Sequence, residues 1–383
     1  MEKILNINHQ ISILKHKFIG HLRMPLYINA YYLMANTVIV SLLGFVFWTI
    51  SARYYTPKDI GLASALISSM GLIMSISNLG LGTGLIRFLP DSKKPNSLIN
   101  SSFTLISLAS LLVGMVFLLG LNLWAKDLNF ILSKFYYILF FLILAPAQAL
   151  FSAQESVFIA YRSAKFTVIK NVTSALVRIS LIILLTGLGT LGIFFAIGLS
   201  IIILALVGIF LLLPKVLADY KFYWALEKNA LKNMIKFSFE NYISALLGSL
   251  HIMILPLMIL NILGAESNAY YYIAYSIAGI LFVIPGAIST SLFAEGSNDI
   301  SNLSHNIKRS LQLSLLLLSI GIIAVFLIGD KLLLLFGKTY SQASFGMLKL
   351  LSLSSIPLSI NSIIFTILRV NFKMKTVINL SAL

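Results

Sequence analysis

The chain has 383 residues, of which 59% are hydrophobic and only 10% charged, and its formal net charge is +16. So few charges cannot cover a water-soluble body of this length, which excludes a soluble enzyme or nucleic-acid-binding domain and points to an all-α polytopic membrane protein. Cysteine is absent, which excludes disulfides, thiolate nucleophiles and cysteine metal sites.

From the N-terminus, Ile4, Ile7, Ile11, Leu14 and Phe18 recur at helical spacing, with His9, Lys15, His16 and Lys17 between them. The pattern predicts an amphipathic segment over 1–27 lying on the cytoplasmic surface of the membrane; a frayed basic tail accounts for the same residues. No compact apolar stretch with a small-residue cleavage site follows Met1, so a cleavable signal is not expected. Apolar runs of about 20 residues, the length that crosses a bilayer, then fall at 28–50, 60–84, 98–124, 135–154, 166–187 and 190–213. They define a first bundle of six spans over 28–213. A basic polar linker, 214–233, is followed by runs at 234–262, 268–291, 308–329 and 344–367, and another begins near Lys375. The second bundle, 234–383, thus holds four complete spans and the start of a fifth.

Basic residues set the orientation. With the N-terminus on the cytoplasmic side, 20 Lys and Arg fall at cytoplasmic segments against 6 at outer ones, while Arg178 and Lys349 lie within spans. This bias predicts a multi-pass protein of the cell membrane with a cytoplasmic N-terminus. It also accounts for the net charge without nucleic acid.

The two halves resemble one another. FIAYRSAKFTVIKNVTSAL in the first half aligns with FTILRVNFKMKTVINLSAL in the second, so that Arg162 falls on Arg369, 207 positions on. Six spans separate equivalent points, which gives both copies the same orientation, a parallel repeat of the transporter kind with the substrate path between the halves. Twelve spans would need a chain about 40 residues longer.

Polar residues inside the spans form stripes. Gly61, Ser64, Ser68, Gly71, Ser75, Asn78 and Gly82 share one helical face, as do Thr167, Asn171, Ser174 and Arg178. Gln148, Ser152 and Glu155 continue to Arg162; Ser352, Ser355, Ser359, Ser362 and Thr366 continue to Arg369; Glu240, Ser244, Gly248 and His251 make a fifth stripe. Small residues in such stripes also serve helix packing. Stripes that include Arg, Glu, Gln or His point instead to a wet interior, because those side chains avoid lipid. Candidate cavity residues are therefore Arg178, Asn171, Ser174, Gln148, Asn78, His251 and Arg369. Glu155 and Glu240 are candidates for binding a coupling proton or cation, or for pairing with a base such as Arg162 or Lys236. Arg178 lies about 18 Å into its span, lining the cavity or forming an ion pair with Glu155.

Other motifs carry no chemistry. Gly187-Leu188-Gly189-Thr190-Leu191-Gly192 matches a dinucleotide fingerprint by letters, but it joins two spans and has no preceding strand. There is no Walker loop, no metal-ligand spacing among the five histidines and no carboxylate pair placed for acid–base catalysis, so neither an enzyme nor a cofactor or metal is expected.

SLLGFVFWTISARYYTPKDIGLASALIS (41–68) and LGLGTGLIRFLP (79–90) resemble the first two spans of polysaccharide-biosynthesis membrane proteins, relatives of the O-antigen flippases. These belong to the multidrug/oligosaccharidyl-lipid/polysaccharide exporter superfamily. The resemblance implies two bundles of six helices around a central cavity. It also implies alternating access that carries a polyprenyl- or dolichyl-linked oligosaccharide to the outer leaflet for surface polysaccharide such as lipopolysaccharide O-antigen. Expected partners are that glycolipid, membrane lipids, and glycosyltransferases or a polysaccharide polymerase, with no nucleic acid. A multidrug/cation antiporter of the same superfamily is the alternative, although span one holds no acid to attract cationic drugs. A membrane glycosyltransferase or polymerase would need larger outer loops, and a non-transporting assembly protein is the remaining reading.

Overall fold

The computed structural model describes residues 25–298, 302–371 and 373–381. The amphipathic segment expected over 1–27 lies outside these up to residue 24. The helices are α1 (Pro25–Tyr54), α2 (Pro57–Ser77), a short α3 (Leu81–Phe88), α4 (Pro95–Leu119), α5 (Phe135–Ala160), α6 (Lys165–Leu184) and α7 (Thr190–Val207). They continue as α8 (Lys228–Leu263), α9 (Ala265–Asn298), α10 (Leu303–Leu334), α11 (Lys338–Val370) and α12 (Met374–Ser381). Among the described residues ten helices are long and apolar enough to cross a membrane. The face on which α1 begins is called proximal here, and the face on which α1 ends and α2 begins is called distal.

Local chemistry explains the ends of α2. Thr56 Oγ1 accepts the Asp59 N–H at 3.1 Å while Asp59 Oδ2 accepts the Thr56 N–H at 3.3 Å, a capping box worth about 1 kcal/mol. Asp59 Oδ1 also accepts from the backbone and hydroxyl of Thr190, at 2.8 and 2.9 Å, which ties the start of α7 to the start of α2. The glycine-rich stretch at 187–192 is the turn expected, with Gly189 at φ +55° against Asp59. Beside it, the buried Tyr55 hydroxyl donates to the Ile182 carbonyl at 2.8 Å; burial, and secondarily Asp59, push its phenol up to about 12.

The repeat is visible in three dimensions. The helices α1, α2, α4 and α5 recur in order as α8, α9, α10 and α11, and α12 stands where α6 begins in the first bundle. Asn268, displaced from Gly61 by 207 residues, donates from Nδ2 to the Gly61 carbonyl at 2.7 Å. Equivalent helices α2 and α9 therefore cross where the repeat axis runs.

The segment between the bundles is more ordered than a polar linker need be. Helix α8 already begins at Lys228, within the polar gap read from the sequence. Before it, Asn96 and Asn100 donate to the carbonyls of Asp219 and Lys221, both at 2.7 Å, and the Ala225 and Glu227 N–H groups reach Thr104 Oγ1 and Ser101 Oγ at 3.2 and 2.9 Å. The polar proximal half of α4 is thus used to satisfy an extended backbone that has no ladder of its own.

Candidate functional site

The two bundles meet along a seam that is tight at the distal face and again toward the proximal one, where a Cβ at Gly80 or Gly84 would press on Ser238 or Met234 of α8. A Cβ at Gly61 would collide with the Ala265 carbonyl, so only glycine permits this crossing. Asn268 Nδ2 reaches both the Gly61 carbonyl and Ser64 Oγ, at 2.7 and 3.1 Å. Arg53 donates from Nε and Nη2 to the carbonyls of Leu335 and Leu334 at 2.8 and 3.0 Å. Beneath these bonds one apolar core runs through both bundles, with Phe47, Trp48 and Ile60 from the first and Ile273, Ile277 and Phe336 from the second.

Farther along the seam, Ser68 faces Met253, Tyr271, Tyr272, Tyr275 and Ser276 around a cavity of about 280 Å³. Ser75 Oγ then lies 3.4 Å from Ser249 Oγ, and the Tyr242 hydroxyl donates to the Ile76 carbonyl at 2.7 Å. The small-residue stripe of α2 is accordingly both a packing surface and one wall of a cavity.

Arg178 stands at the edge of this seam. Its Cζ lies 5.4 Å from the centroid of Phe47 on α1, and its Nη2 lies 3.8 Å from where a Cβ on Gly44 would sit. Tyr272 of α9, whose ring stacks edge-on with Trp48 at 4.8 Å, feels the guanidinium's charge and lines the cavity. The Nε–H of Arg178 is buried and has no hydrogen-bond acceptor among the described residues. A guanidinium N–H can donate to one acceptor.

Glu155 is engaged elsewhere. Its Oε1 lies 3.5 Å from Nζ of Lys170, a side chain with no exposed surface, and accepts from Asn171 Nδ2 at 3.0 Å. Asn171 also reaches Asn36 of α1 at 3.2 Å, and the Lys170 ammonium sits 3.7 Å above the Phe151 ring while donating to the Phe151 carbonyl. The carboxylate thus takes Lys170 as its ion-pair partner, not Arg178 or Arg162; Arg162 is exposed in the turn after α5, at φ +52°. Lys170, grouped by the charge count with cytoplasmic segments, lies inside the first bundle.

The remaining candidates scatter. Ser174 is buried and donates to Ser200 of α7 at 3.2 Å, inside the first bundle. Asn78 Oδ1 accepts the Gly82 N–H at 3.1 Å and so caps the break between α2 and α3. Gln148 is half-buried and His251 exposed. Glu240 lies on α8, and its side chain is outside the described ones. Arg369 is exposed and lines a separate cavity of about 370 Å³ with Ser289, Thr290, Ser362 and Thr366, between α9 and α11.

Two apolar grooves flank the seam, as the repeat requires. One, of about 330 Å³, runs between Thr37, Ser41 and Phe45 of α1 and Ile277, Ile280 and Val283 of α9. The other, of about 450 Å³, lies between Ile73 and Ile76 of α2 and Ile254 and Leu257 of α8. Ile73 and Ile76 are the repeat equivalents of Ile280 and Val283.

A family model described as "Polysaccharide biosynthesis protein" matches residues 26–294. The chain belongs to that family. No curated protein sequence gives a significant match. Among solved structures, the fold is similar to "Lipid II flippase MurJ, inward closed conformation", with TM-score 0.73 and 14% identity over 91% of this chain and 78% of that one. It is also similar to the outward-facing conformation of a multidrug resistance MATE family transporter of the MOP superfamily, with TM-score 0.64 and 14% identity over 94% of this chain and 86% of that one. The inward-facing conformation of such a transporter gives TM-score 0.59 at 16% identity, over 86% and 84%. This member of the family is therefore a multi-pass helical membrane protein whose two-bundle fold is similar to that of those transporters.

Several residues that shape the seam or the first bundle are not among the candidates read from the stripes. Lys170 is four residues before Ser174 and eight before Arg178, so its place on their stripe was a usable signal. Gly44, Tyr272 and Asn268 gave none, because their partners are distant in sequence. Gln154 is likewise buried, donating to the Ala205 carbonyl at 2.8 Å just before the π-helical turn Gly208–Leu212.

Proposed function

We propose that this protein is a flippase that carries a lipid-linked oligosaccharide, of the polyprenyl- or dolichyl-phosphate type, from the cytoplasmic to the outer leaflet of the cell membrane. Its product would feed surface polysaccharide such as the O-antigen of lipopolysaccharide. The observation that carries the reading is the buried Nε–H of Arg178, without an acceptor among the described residues, in a protein whose bundles enclose a tyrosine-lined cavity. A phosphate needs in-plane N–H donors at fixed angles, which a guanidinium supplies. Tyrosine and serine walls suit sugar faces and hydroxyls. The groove between α1 and α9, lined by residues next to Gly44, is apolar and offers a place for the polyisoprenoid chain. In this mechanism the distal bonds of Arg53 and Asn268 break as the bundles rock, exposing the cavity on the other side. Of the two coupling candidates, Glu155 is the one whose surroundings are described, held against Lys170 and Asn171 inside the first bundle. An antiporter of cationic drugs fits less well, since the unpaired charge at the seam is positive.

The reading places the proximal face in the cytoplasm. A single cysteine at Lys94 or Lys221 should resist impermeant thiol reagents in intact cells, and one at Lys58 or Lys338 should react; the reverse would invert the orientation. For the substrate, Arg178→Ala should abolish complementation of a flippase-deficient strain at normal protein level, while Arg178→Lys retains part of it. Full complementation by Arg178→Ala would refute the phosphate role.

A further inference from the structure

Where the bundles join on the proximal face there is a third groove, of about 680 Å³, apart from the two that flank the seam. Its apolar wall comes from Leu105 on α4, Leu226 in the connecting segment, and Leu231, Ile235 and Phe239 on α8. Along the same helix Lys228, Lys232 and Lys236 line it at four-residue spacing, which stacks three ammonium groups on one face. All three lysines are exposed, and none forms an ion pair among the described residues. The neighbouring Glu227 is turned away, its Oε2 accepting from Ser97 at 2.6 Å. Tyr223 and Trp224, 45% and 65% exposed, precede the groove, and beyond Glu240 the sequence of α8 holds no further Asp, Glu, Lys or Arg up to Leu263. Exposed Tyr and Trp mark headgroup depth. The lysines therefore stand at the phosphate level, with Ile235 and Phe239 leading toward the hydrocarbon.

We infer that this groove binds an anionic phospholipid of the surrounding leaflet, its acyl chains along Leu105, Ile235 and Phe239 and its phosphate among Lys228, Lys232 and Lys236. Charge complementarity selects the occupant: a zwitterionic lipid offers the same chains but adds a cation beside three lysines. Because α4 belongs to one bundle and α8 to the other, the bound lipid spans their joint. The inference is independent of the transported substrate.

The full chain in vesicles, with either brominated phosphatidylglycerol or brominated phosphatidylcholine at equal mole fraction, tests this through quenching of tryptophan fluorescence. Subtracting the signal of a Trp224→Phe variant isolates Trp224. Phosphatidylglycerol should be preferred by about fivefold or more, the factor expected of even one lysine at a membrane surface. The preference should fall with rising salt, vanish in the Lys228→Gln/Lys232→Gln/Lys236→Gln variant and persist when the three become arginine. Equal quenching by both lipids, a salt-independent preference, or an unchanged preference in the glutamine variant would overturn it. So would displacement of phosphatidylglycerol by trace polyprenyl phosphate, which would assign the groove to the glycan carrier.

Discussion

Two cations occupy one stripe of α6, about two turns apart. Lys170 turns toward α5, where Glu155, the Phe151 carbonyl and the Phe151 ring enclose its ammonium. Arg178 turns toward α1, where it lies against Phe47 and Gly44 and keeps an N–H without an acceptor among the described residues. A buried charge is tolerated when a counter-charge and hydrogen bonds replace its water. Lys170 satisfies that condition from within one bundle and can be understood as part of its architecture. Arg178 has no ion-pair partner among the described residues, and under the proposed function a substrate phosphate would supply one.

The largest effect should come from breaking the satisfied site. Glu155→Ala leaves Lys170 buried without its carboxylate and should cost about 3 kcal/mol, seen as a lower unfolding midpoint in detergent. Adding Lys170→Met should restore most of that stability. If Glu155→Ala alone unfolds like the parent, the pair does not hold the bundle together. Arg178→Ala, by contrast, should leave the unfolding midpoint within about 2 °C of the parent, even though transport is lost; a collapse in stability would make Arg178 structural as well.

Smaller effects should separate the seam from the bundles it joins. Asn268→Ala removes two bonds across the distal seam and should weaken closure by about 1–3 kcal/mol. In the cysteine-free chain, a reporter cysteine at Ser276 should then label faster from the distal side; an unchanged rate would show that the seam is held by packing alone. Arg53→Ala should have a weaker effect in the same assay, about 1 kcal/mol, because its bonds are exposed. The smallest effect concerns alkaline pH. Tyr55 ionises near 12 in the folded chain against 10.0 ordinarily. Its contribution is present in full below pH 10 and is lost as pH rises toward 12. Tyr55→Phe should flatten that part of an alkaline unfolding curve, and an unaltered curve would count against it.

Much of the fold was legible in the sequence, for reasons that lie in contiguous residues. The run 190–213 is long and apolar enough that no arrangement except a buried or lipid-facing helix suits it, and Thr56-Pro57-Lys58-Asp59 begins a helix through atoms three residues apart. The repeat was legible as well, because two copies of one hydropathy pattern preserve their order even when few identities survive. The site was legible only in part. The α6 stripe identified Arg178 and Asn171 as facing away from lipid, but spacing along one helix does not say which neighbour that face meets.

By itself, then, the sequence determined the membrane class, the spans and the duplicated order of helices, since bilayer length and helical period act on each segment alone. Only the tertiary structure decided that Glu155 takes Lys170 rather than Arg178, that Asn78 caps a helix break, and that Asn268 closes on Gly61 across the repeat axis. The physical reason is range. A hydrogen bond or ion pair acts over a few ångströms between groups brought together by packing. Which helices pack is settled by shape at contacts such as Gly61 against Ala265, far apart in the chain.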